Sequence, residues 1–288
     1  MNRILRAAAA PAAILLVAAC ATESFDAPTD FNKGSETTNV IDATNLNDLM
    51  LTISDPEDAV SYFRTSLAAE PGRVDFKRGY ALSLARARRH ADAVRIFEEL
   101  EAQGVADAEL RLEHAHSLAR LERWEEAENQ MALVSSSLNT PRRFLIDAML
   151  ADQRNDWQQA DAAYDTARRL SANPATILNN WGVSRMSRGE NKDAEKTFEE
   201  ALAYNPRLFS IKNNLAVARA LQGNYRLPLI TMSEEERAQL LHNVGVIALR
   251  RGDTERAKGL FTMAVAAHPR FYPQAAEKLA ALQGQVLN

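Results

Sequence analysis

Few residues in this sequence have the chemistry of a reactive or metal-binding site. The chain of 288 residues contains one cysteine and five histidines. They are Cys20, His90, His114, His116, His242 and His268. A single cysteine excludes an internal disulfide and any cysteine-rich metal site. His114 and His116 are two residues apart, so on a helix their side chains diverge by about 200° and do not share a face.

The sequence also lacks the motifs of common catalytic sites. It has no HExxH zinc motif, no GxSxG nucleophile motif, no P-loop and no dinucleotide-binding glycine motif. We therefore interpret the histidines as solvated or packing residues. The sequence predicts a protein that is not an enzyme and has neither metal nor cofactor, and a catalytic site of unrecognised type is the alternative.

The position of Cys20 gives this cysteine a different chemistry. It follows an apolar run of 13 residues, 7–19, which is preceded by Arg3 and Arg6, and no acid occurs before Glu23. The run is too short to cross a bilayer, which needs roughly 20 apolar residues. Its length and basic flank predict a secretory signal peptide.

The four residues Val17-Ala18-Ala19-Cys20 resemble a bacterial lipobox. This resemblance implies a lipoprotein signal peptide over residues 1–19 and lipidation of Cys20, whose thiol accepts a diacylglyceryl group, with three acyl chains in all, such as palmitate. Because Ala21 and not Asp follows the cysteine, it also implies an outer-membrane anchor that faces the periplasm. The alternative is that Cys20 is a hydrophobic residue of an ordinary signal peptide.

Residues 20–45 are predicted to be the lipidated cysteine and a flexible linker. Ser, Thr, Asp, Asn and Glu dominate this stretch, and Lys33 is its only base. Such a composition has too little apolar surface to offset the cost of ordering the chain. Phe25 and Phe31 could instead dock on a partner. Without Arg3 and Arg6 the chain would have 34 − 2 = 32 bases and 38 acids, a net charge of −6, which argues against nucleic-acid binding.

The rest of the chain repeats with a period of about 34 residues. An alanine recurs at Ala59, Ala93, Ala127, Ala160, Ala194 and Ala257, and the first four gaps are 34, 34, 33 and 34 residues. An aromatic residue or methionine stands four residues after each alanine, and a Gly or Ala stands twelve residues before the last five. Residues 194–206, AEKTFEEALAYNP, show the pattern with its closing proline.

This pattern resembles the tetratricopeptide repeat, in which each unit is a pair of antiparallel helices, A and B. The resemblance predicts an all-α fold: a tetratricopeptide-repeat superhelix (α-solenoid) of about six helix-turn-helix repeats with a C-terminal capping helix, over residues 46–288. The small residue at repeat position 8 is expected to meet the alanine at position 20. The aromatic residue at position 24 is expected to fill the gap to the next repeat.

One unit departs from the pattern. A count of 34 residues from Ala194 reaches Pro228, which cannot continue a helix. The pattern predicts that residues 225–232 form an extended, exposed segment in place of helix B. A new helix is predicted from Ser233, with Glu236 completing a capping box. Tyr225, Leu227 and Pro228 are therefore a candidate docking segment.

Candidate partner-binding residues lie on the groove face of the A helices. Position 5 of the last three A helices holds Asn179, Asn213 and His242. These side chains are predicted to form a ladder of amides and an imidazole that could donate to and accept from a peptide backbone. Simple solvation is the alternative. For the neighbouring row at position 6, which is Asn180, Asn214 and Asn243, a structural role is favoured.

The combination of lipobox, linker, repeats and Pro-broken unit resembles the TadD-type lipoproteins of the tight-adherence (Flp) pilus. The resemblance is strongest over residues 178–232 and 48–73. It implies a non-catalytic scaffold that binds protein partners, a secretin or pilus assembly components, and neither nucleic acid nor a small-molecule substrate. The alternative is a lipoprotein adaptor that docks cell-wall hydrolases or outer-membrane protein assembly factors.

Overall fold

The computed structural model describes the backbone of residues 40–270 and 272–284 and the side chains of residues 46–270 and 272–284. This part of the chain contains fourteen α-helices and no strand. The helices are α1 (Val40–Thr52), α2 (Pro56–Ala69), α3 (Val74–Arg86), α4 (His90–Ala102), α5 (Ala108–Arg120), α6 (Trp124–Ala132), α7 (Pro141–Gln153), α8 (Trp157–Leu170), α9 (Ala175–Ser187), α10 (Asn191–Tyr204), α11 (Phe209–Leu221), α12 (Glu234–Arg250), α13 (Thr254–Ala267) and α14 (Pro273–Gln283).

Most of these helices pack as consecutive pairs. Six A–B pairs form, from α1–α2 to α9–α10 and then α12–α13, and α14 packs on α13 as the predicted capping helix. This arrangement confirms the predicted all-α fold of stacked helix pairs. Helix α1 begins at Val40, inside the stretch predicted to be linker. No helix among the described residues is both long and apolar enough to cross a membrane.

A left-handed residue forms the turn between the helices of five pairs. These residues, with φ from 57° to 86°, are Arg88, Glu122, Asn155, Gly189 and Gly252. The same backbone reversal therefore ends the A helix in each of these five pairs. Helix α11 ends with the same turn at Gly223 (φ 86°), although no helix follows it.

In two of the helix pairs, a glycine of helix A lies in close contact with a phenylalanine of helix B. A Cβ added to Gly182 would lie 2.4 Å from Cε1 of Phe198, and one added to Gly245 would lie 2.8 Å from Cε1 of Phe261. Both phenylalanines are fully buried. The aromatic residue at position 24 therefore packs on the small residue at position 8 of its own repeat, and not only in the gap to the next repeat as expected.

The unit that begins with α11 lacks its helix B, as the sequence predicts. After α11 the chain runs through residues 222–233 without helix or strand, and α12 starts at Glu234. The Ser233 hydroxyl accepts a hydrogen bond from the backbone N–H of Glu236, and the Glu236 carboxylate accepts one from the backbone N–H of Ser233. These two bonds confirm the predicted capping box. The capping box therefore fixes the start of α12, the next A helix, although no helix B precedes it.

The glycine–phenylalanine contact predicts a clear difference between two glycine substitutions. We expect Gly182→Leu to lower the free energy of unfolding by about 1–3 kcal/mol, because the new side chain must push Phe198 away. Gly259→Leu is the matched control, since a Cβ there meets nothing within 4 Å. Leucine favours a helix over glycine by about 1 kcal/mol, so the control is expected to be neutral or stabilising. Equal effects in urea unfolding would contradict the close-contact account.

Candidate functional site

Four asparagine side chains form a hydrogen-bonded row across three A helices. Asn243 Nδ2 on α12 donates to Asn213 Oδ1 on α11 at 2.7 Å. Asn213 Nδ2 then donates to Asn214 Oδ1 at 3.4 Å. Asn214 Nδ2 in turn donates to Asn179 Oδ1 on α9 at 3.0 Å. We call these four residues the amide row.

All hydrogen bonds of the amide row run in one direction, so its ends differ. Among the described residues, the amide nitrogen of Asn179 has no acceptor and the amide oxygen of Asn243 has no donor. Successive amide hydrogen bonds polarise one another, which strengthens the free donor at one end and the free acceptor at the other. An extended peptide offers both a carbonyl and an N–H to such a pair.

The predicted ladder and the observed row differ in their members. Asn179 and Asn213 belong to the row, but they are joined through Asn214 and not directly. His242 is outside it, and Asn243 stands in its place. Asn214 and Asn243 could be identified from the sequence, because each is the second residue of a repeated Asn-Asn or His-Asn pair. That signal favoured a structural role, and the row shows that both positions contribute to one network.

The His242 ring packs among aromatic side chains. Its centroid lies 5.5 Å from that of Phe261 and 5.6 Å from that of Tyr272. Its Nδ1 is buried and has no hydrogen-bond partner in the described part of the chain. Burial, and then the charge of Lys278, lower the pKa of His242. The ring therefore packs on the α13–α14 end of the array.

A second group of polar side chains joins α7, α8 and α9 by hydrogen bonds. The hydroxyls of Tyr164 on α8 and Ser184 on α9 donate to Asp152 on α7 at 2.8 and 2.6 Å. Burial raises the pKa of Asp152, against the two hydrogen bonds that lower it. These side chains border a cavity of about 210 Å³ that Asn180 and Arg120 also line. These hydrogen bonds explain the three side chains as contacts that hold α7, α8 and α9 together.

The remaining histidines are placed as packing residues. His114 is buried against Phe97, and its Nδ1 lies 2.8 Å from Glu101 Oε1. The His116 ring meets the His90 ring at 5.8 Å. Burial, and then neighbouring arginines, lower the pKa of His90 to about 4. Within the described residues, no three His, Cys, Asp or Glu side chains come together as metal ligands.

The segment 224–233, which replaces helix B, is fixed at both ends. Near its start, the Tyr225 hydroxyl donates to Asp253 in the α12–α13 turn and accepts from Arg251 Nε at 3.2 Å. At its end, Glu236 of the capping box accepts from the Lys212 Nζ at 2.8 and 3.1 Å. The Lys212 side chain is only 5% exposed, so this ion pair holds the start of α12 against α11.

Five of the eight residues predicted to be exposed, 225–232, are buried or partly buried. Pro228 is buried, while Tyr225 and Leu227 are partly buried against the core of α12 and α13. Ile230 packs against the core of α9 to α11. Leu229 alone among its apolar side chains is fully exposed, at 103%. The expected exposure was wrong for Pro228 because the extended chain turns its apolar side chains inward, where helix B would otherwise pack.

An open cleft lies beside this segment on the side of α13. Its volume is about 1310 Å³, and its walls come from residues 223–234, from Arg237 and Leu241 of α12, and from residues 253–263. Sequence reasoning identified the segment but not the cleft, because a cleft depends on how much space the extended chain leaves unfilled. Cys20 lies outside the described residues, and its lipidation remains a prediction.

The inward-facing side chains predict unequal effects of substitution along the segment. We expect Leu227→Ser to lower the free energy of unfolding by about 1–2 kcal/mol, because it removes a partly buried side chain from an apolar cluster. Leu229→Ser is the matched control and is expected to leave the melting temperature unchanged, since Leu229 is already in water. Equal losses from both variants, measured by thermal unfolding, would contradict the packing described.

Comparisons with known proteins agree with this architecture. The family model described as tetratricopeptide repeat matches residues 51–109 and 179–226. No protein of curated description matches the sequence. A solved structure similar to this chain is one from the APC/C hetero-tetramer Cut9-Hcn1, with 13% identity and a TM-score of 0.58 over 86% of this chain and 50% of that one. This chain thus spans half the length of that protein.

A second similar structure is a tetratricopeptide repeat protein from Parabacteroides merdae ATCC 43184. It shares 14% identity and a TM-score of 0.51 over 83% of this chain and 96% of that one. At these identities the structural likeness concerns the fold alone. The chain has the tetratricopeptide-repeat fold, and two stretches of its sequence match the model of the tetratricopeptide-repeat family.

Proposed function

We propose that this chain is a non-catalytic, lipid-anchored scaffold that binds an extended segment of a protein partner along its amide row. Protein–protein interaction is the function that the tetratricopeptide-repeat fold suggests. The amide row is the observation that carries the proposal. It presents a free donor at Asn179 and a free acceptor at Asn243 on helices that the repeat packing holds rigid.

The chemistry of the row suits a partner recognised mainly by its backbone. Neutral amides bind backbone groups whatever the side chains are, so they favour an extended segment over one particular sequence. The four members span α9, α11 and α12, so the row covers the unit that lacks helix B. Ion pairs of the array, such as Arg219 of α11 with Glu195 at 2.8 Å, hold these helices in place beside it.

The proposed setting is the periplasmic face of the outer membrane, where the scaffold assists assembly of a tight-adherence (Flp-type) pilus or its secretin. The lipobox-like Val17-Ala18-Ala19-Cys20 supports the anchor, and Ala21 supports the outer-membrane destination. The resemblance over residues 178–232 supports the pilus system. Three acyl chains would give stable anchoring, because two lipid signals already suffice.

The role of the amide row can be tested with the triple variant Asn179→Ala, Asn213→Ala and Asn243→Ala, which removes the donor end, the middle and the acceptor end of the row. We expect it to weaken binding of the partner that co-purifies with the wild type about tenfold, because each lost hydrogen bond contributes roughly 0.5–1.5 kcal/mol. Asn180→Ala on α9 is the matched control, because Asn180 neighbours Asn179 but is not a member of the amide row; it is expected to leave the affinity within twofold of the wild type. An affinity of the triple variant within twofold of the wild type would contradict the proposal.

The anchor can be tested with Cys20→Ala in parallel with the wild type. We expect the variant to leave the outer-membrane fraction and to lose co-purification of a secretin or pilus subunit from detergent-solubilised membranes, because the Cys20 thiol is the acceptor for the diacylglyceryl group. Retention of the variant in the membrane would contradict the lipid anchor. Cell-wall hydrolases in place of pilus proteins would support the adaptor alternative.

A further inference from the structure

The unit that begins with α11 is short of one helix. In the other pairs a helix B follows the A–B turn, and in α10 and α13 it is 14 residues long. Here the turn at Gly223 is followed by residues 224–233, which contain no helix. An extended chain is thinner than a helix, so the segment fills the inner part of the position of helix B and leaves the outer part open.

The open cleft has the size of the missing helix. A helix with side chains is about 10 Å wide and rises about 5.4 Å per turn, which amounts to roughly 420 Å³ per turn. The cleft of about 1310 Å³ beside the segment therefore has room for about three turns. The 14 residues of α10 or α13 make roughly four turns, so the cleft has room for most of such a helix.

The wall formed by α13 has the features of a helix-packing face without its partner. Arg256, Gly259, Leu260 and Met263 follow one another at spacings of three, one and three residues, so they lie on one side of α13. A Cβ on Gly259 would meet nothing within 4 Å, which leaves the backbone accessible to another helix. Met263 is 48% exposed, and Leu229 on the opposite wall is 103% exposed.

The charges around the cleft are unbalanced. Of the arginines that line it, Arg226, Arg237 and Arg256 have no carboxylate within 4.0 Å among the described residues. Two of the acids are engaged elsewhere: Asp253 accepts from Tyr225, and Glu255 pairs with Lys258 at 2.9 Å.

Glu234 is the acid of the lining that has no partner in the part of the chain described. Among the described residues, the lining therefore has three guanidinium groups without an acidic partner and two carboxylates without a cationic partner, Glu234 and Asp253, because Glu255 is paired with Lys258. The excess of unpaired guanidinium groups favours an acidic ligand.

We propose that this cleft binds an acidic amphipathic helix of a protein partner, about three turns long, that takes the position of the missing helix B. Its apolar face packs on Leu229, Gly259 and Met263, and its carboxylates meet Arg226, Arg237 and Arg256. This surface is separate from the amide row, so the array has two binding surfaces. The inference goes beyond the proposed function and does not depend on it.

A helix B from the same array provides a direct probe. The peptide with the sequence of α10, NKDAEKTFEEALAY, has two lysines and four acids, a net charge of −2. The peptide with the sequence of α8, WQQADAAYDTARRL, has two arginines and two acids and is neutral. Both are 14-residue B helices, and both are acetylated and amidated to remove terminal charges. We expect purified full-length protein to bind the α10 peptide saturably and the α8 peptide at least fivefold more weakly.

Variants of the protein locate the binding site. We expect Arg237→Glu combined with Arg256→Glu to weaken binding of the α10 peptide at least tenfold, and Gly259→Leu to abolish it by filling the cleft. Arg64→Glu on α2 is the charge control, since Arg64 is exposed and does not line the cleft. It is expected to leave the affinity within twofold of the wild type. The melting temperature of each variant confirms that the fold is intact.

Three results would overturn the inference. The first is no saturable binding of the α10 peptide at millimolar concentration. The second is an equal affinity for the doubly charge-reversed protein and the wild type. The third is a loss of binding in Asn179→Ala but not in Gly259→Leu, which would place the peptide on the amide row. Failure of the amide-row experiment alone would leave this inference standing, because the two surfaces are tested by different variants.

Discussion

In the pairs α9–α10 and α12–α13, the contact between a glycine of helix A and a phenylalanine of helix B sets the spacing of the two helices. Gly182 and Gly245 leave space for the rings of Phe198 and Phe261, which are buried completely. Because the ring leaves no room for a side chain at the glycine, this contact fixes the distance between the two helices of the pair. Helix α11 packs between these two pairs, on α9, α10 and α12, so the pairs also set the alignment of the amide row across α9, α11 and α12.

The loss of one helix B is tolerated because other contacts fix its neighbours. The Tyr225 hydroxyl donates a hydrogen bond to Asp253, and the Lys212–Glu236 ion pair joins α11 to the first turn of α12. The apolar side chains of the segment cover the inner surface that a helix B would cover. The outer surface stays open, and the cleft results from this difference in width between an extended chain and a helix.

Much of the fold could be predicted from the sequence because it repeats. The spacing from Ala59 to Ala194 predicted the helix pairs, Pro228 predicted the missing helix B, and Ser233 with Glu236 predicted the start of α12. The burial of Pro228 and the cleft could not be predicted, because they depend on the direction in which an irregular segment turns its side chains. The same limit applies to His242, whose ring packs on Phe261 and Tyr272, and to Asn243, which joins the amide row.

The most direct test of this account is photo-crosslinking in cells from a photoreactive amino acid at position 229. Position 133 is the control, because Leu133 is also exposed, at 62%, but lies far along the chain from the cleft. The account predicts a crosslink from position 229, absent from position 133, that maps by mass spectrometry to an acidic amphipathic helix of the partner. Equal crosslinks from both positions, or a crosslinked segment without acidic residues and an apolar face, would contradict it.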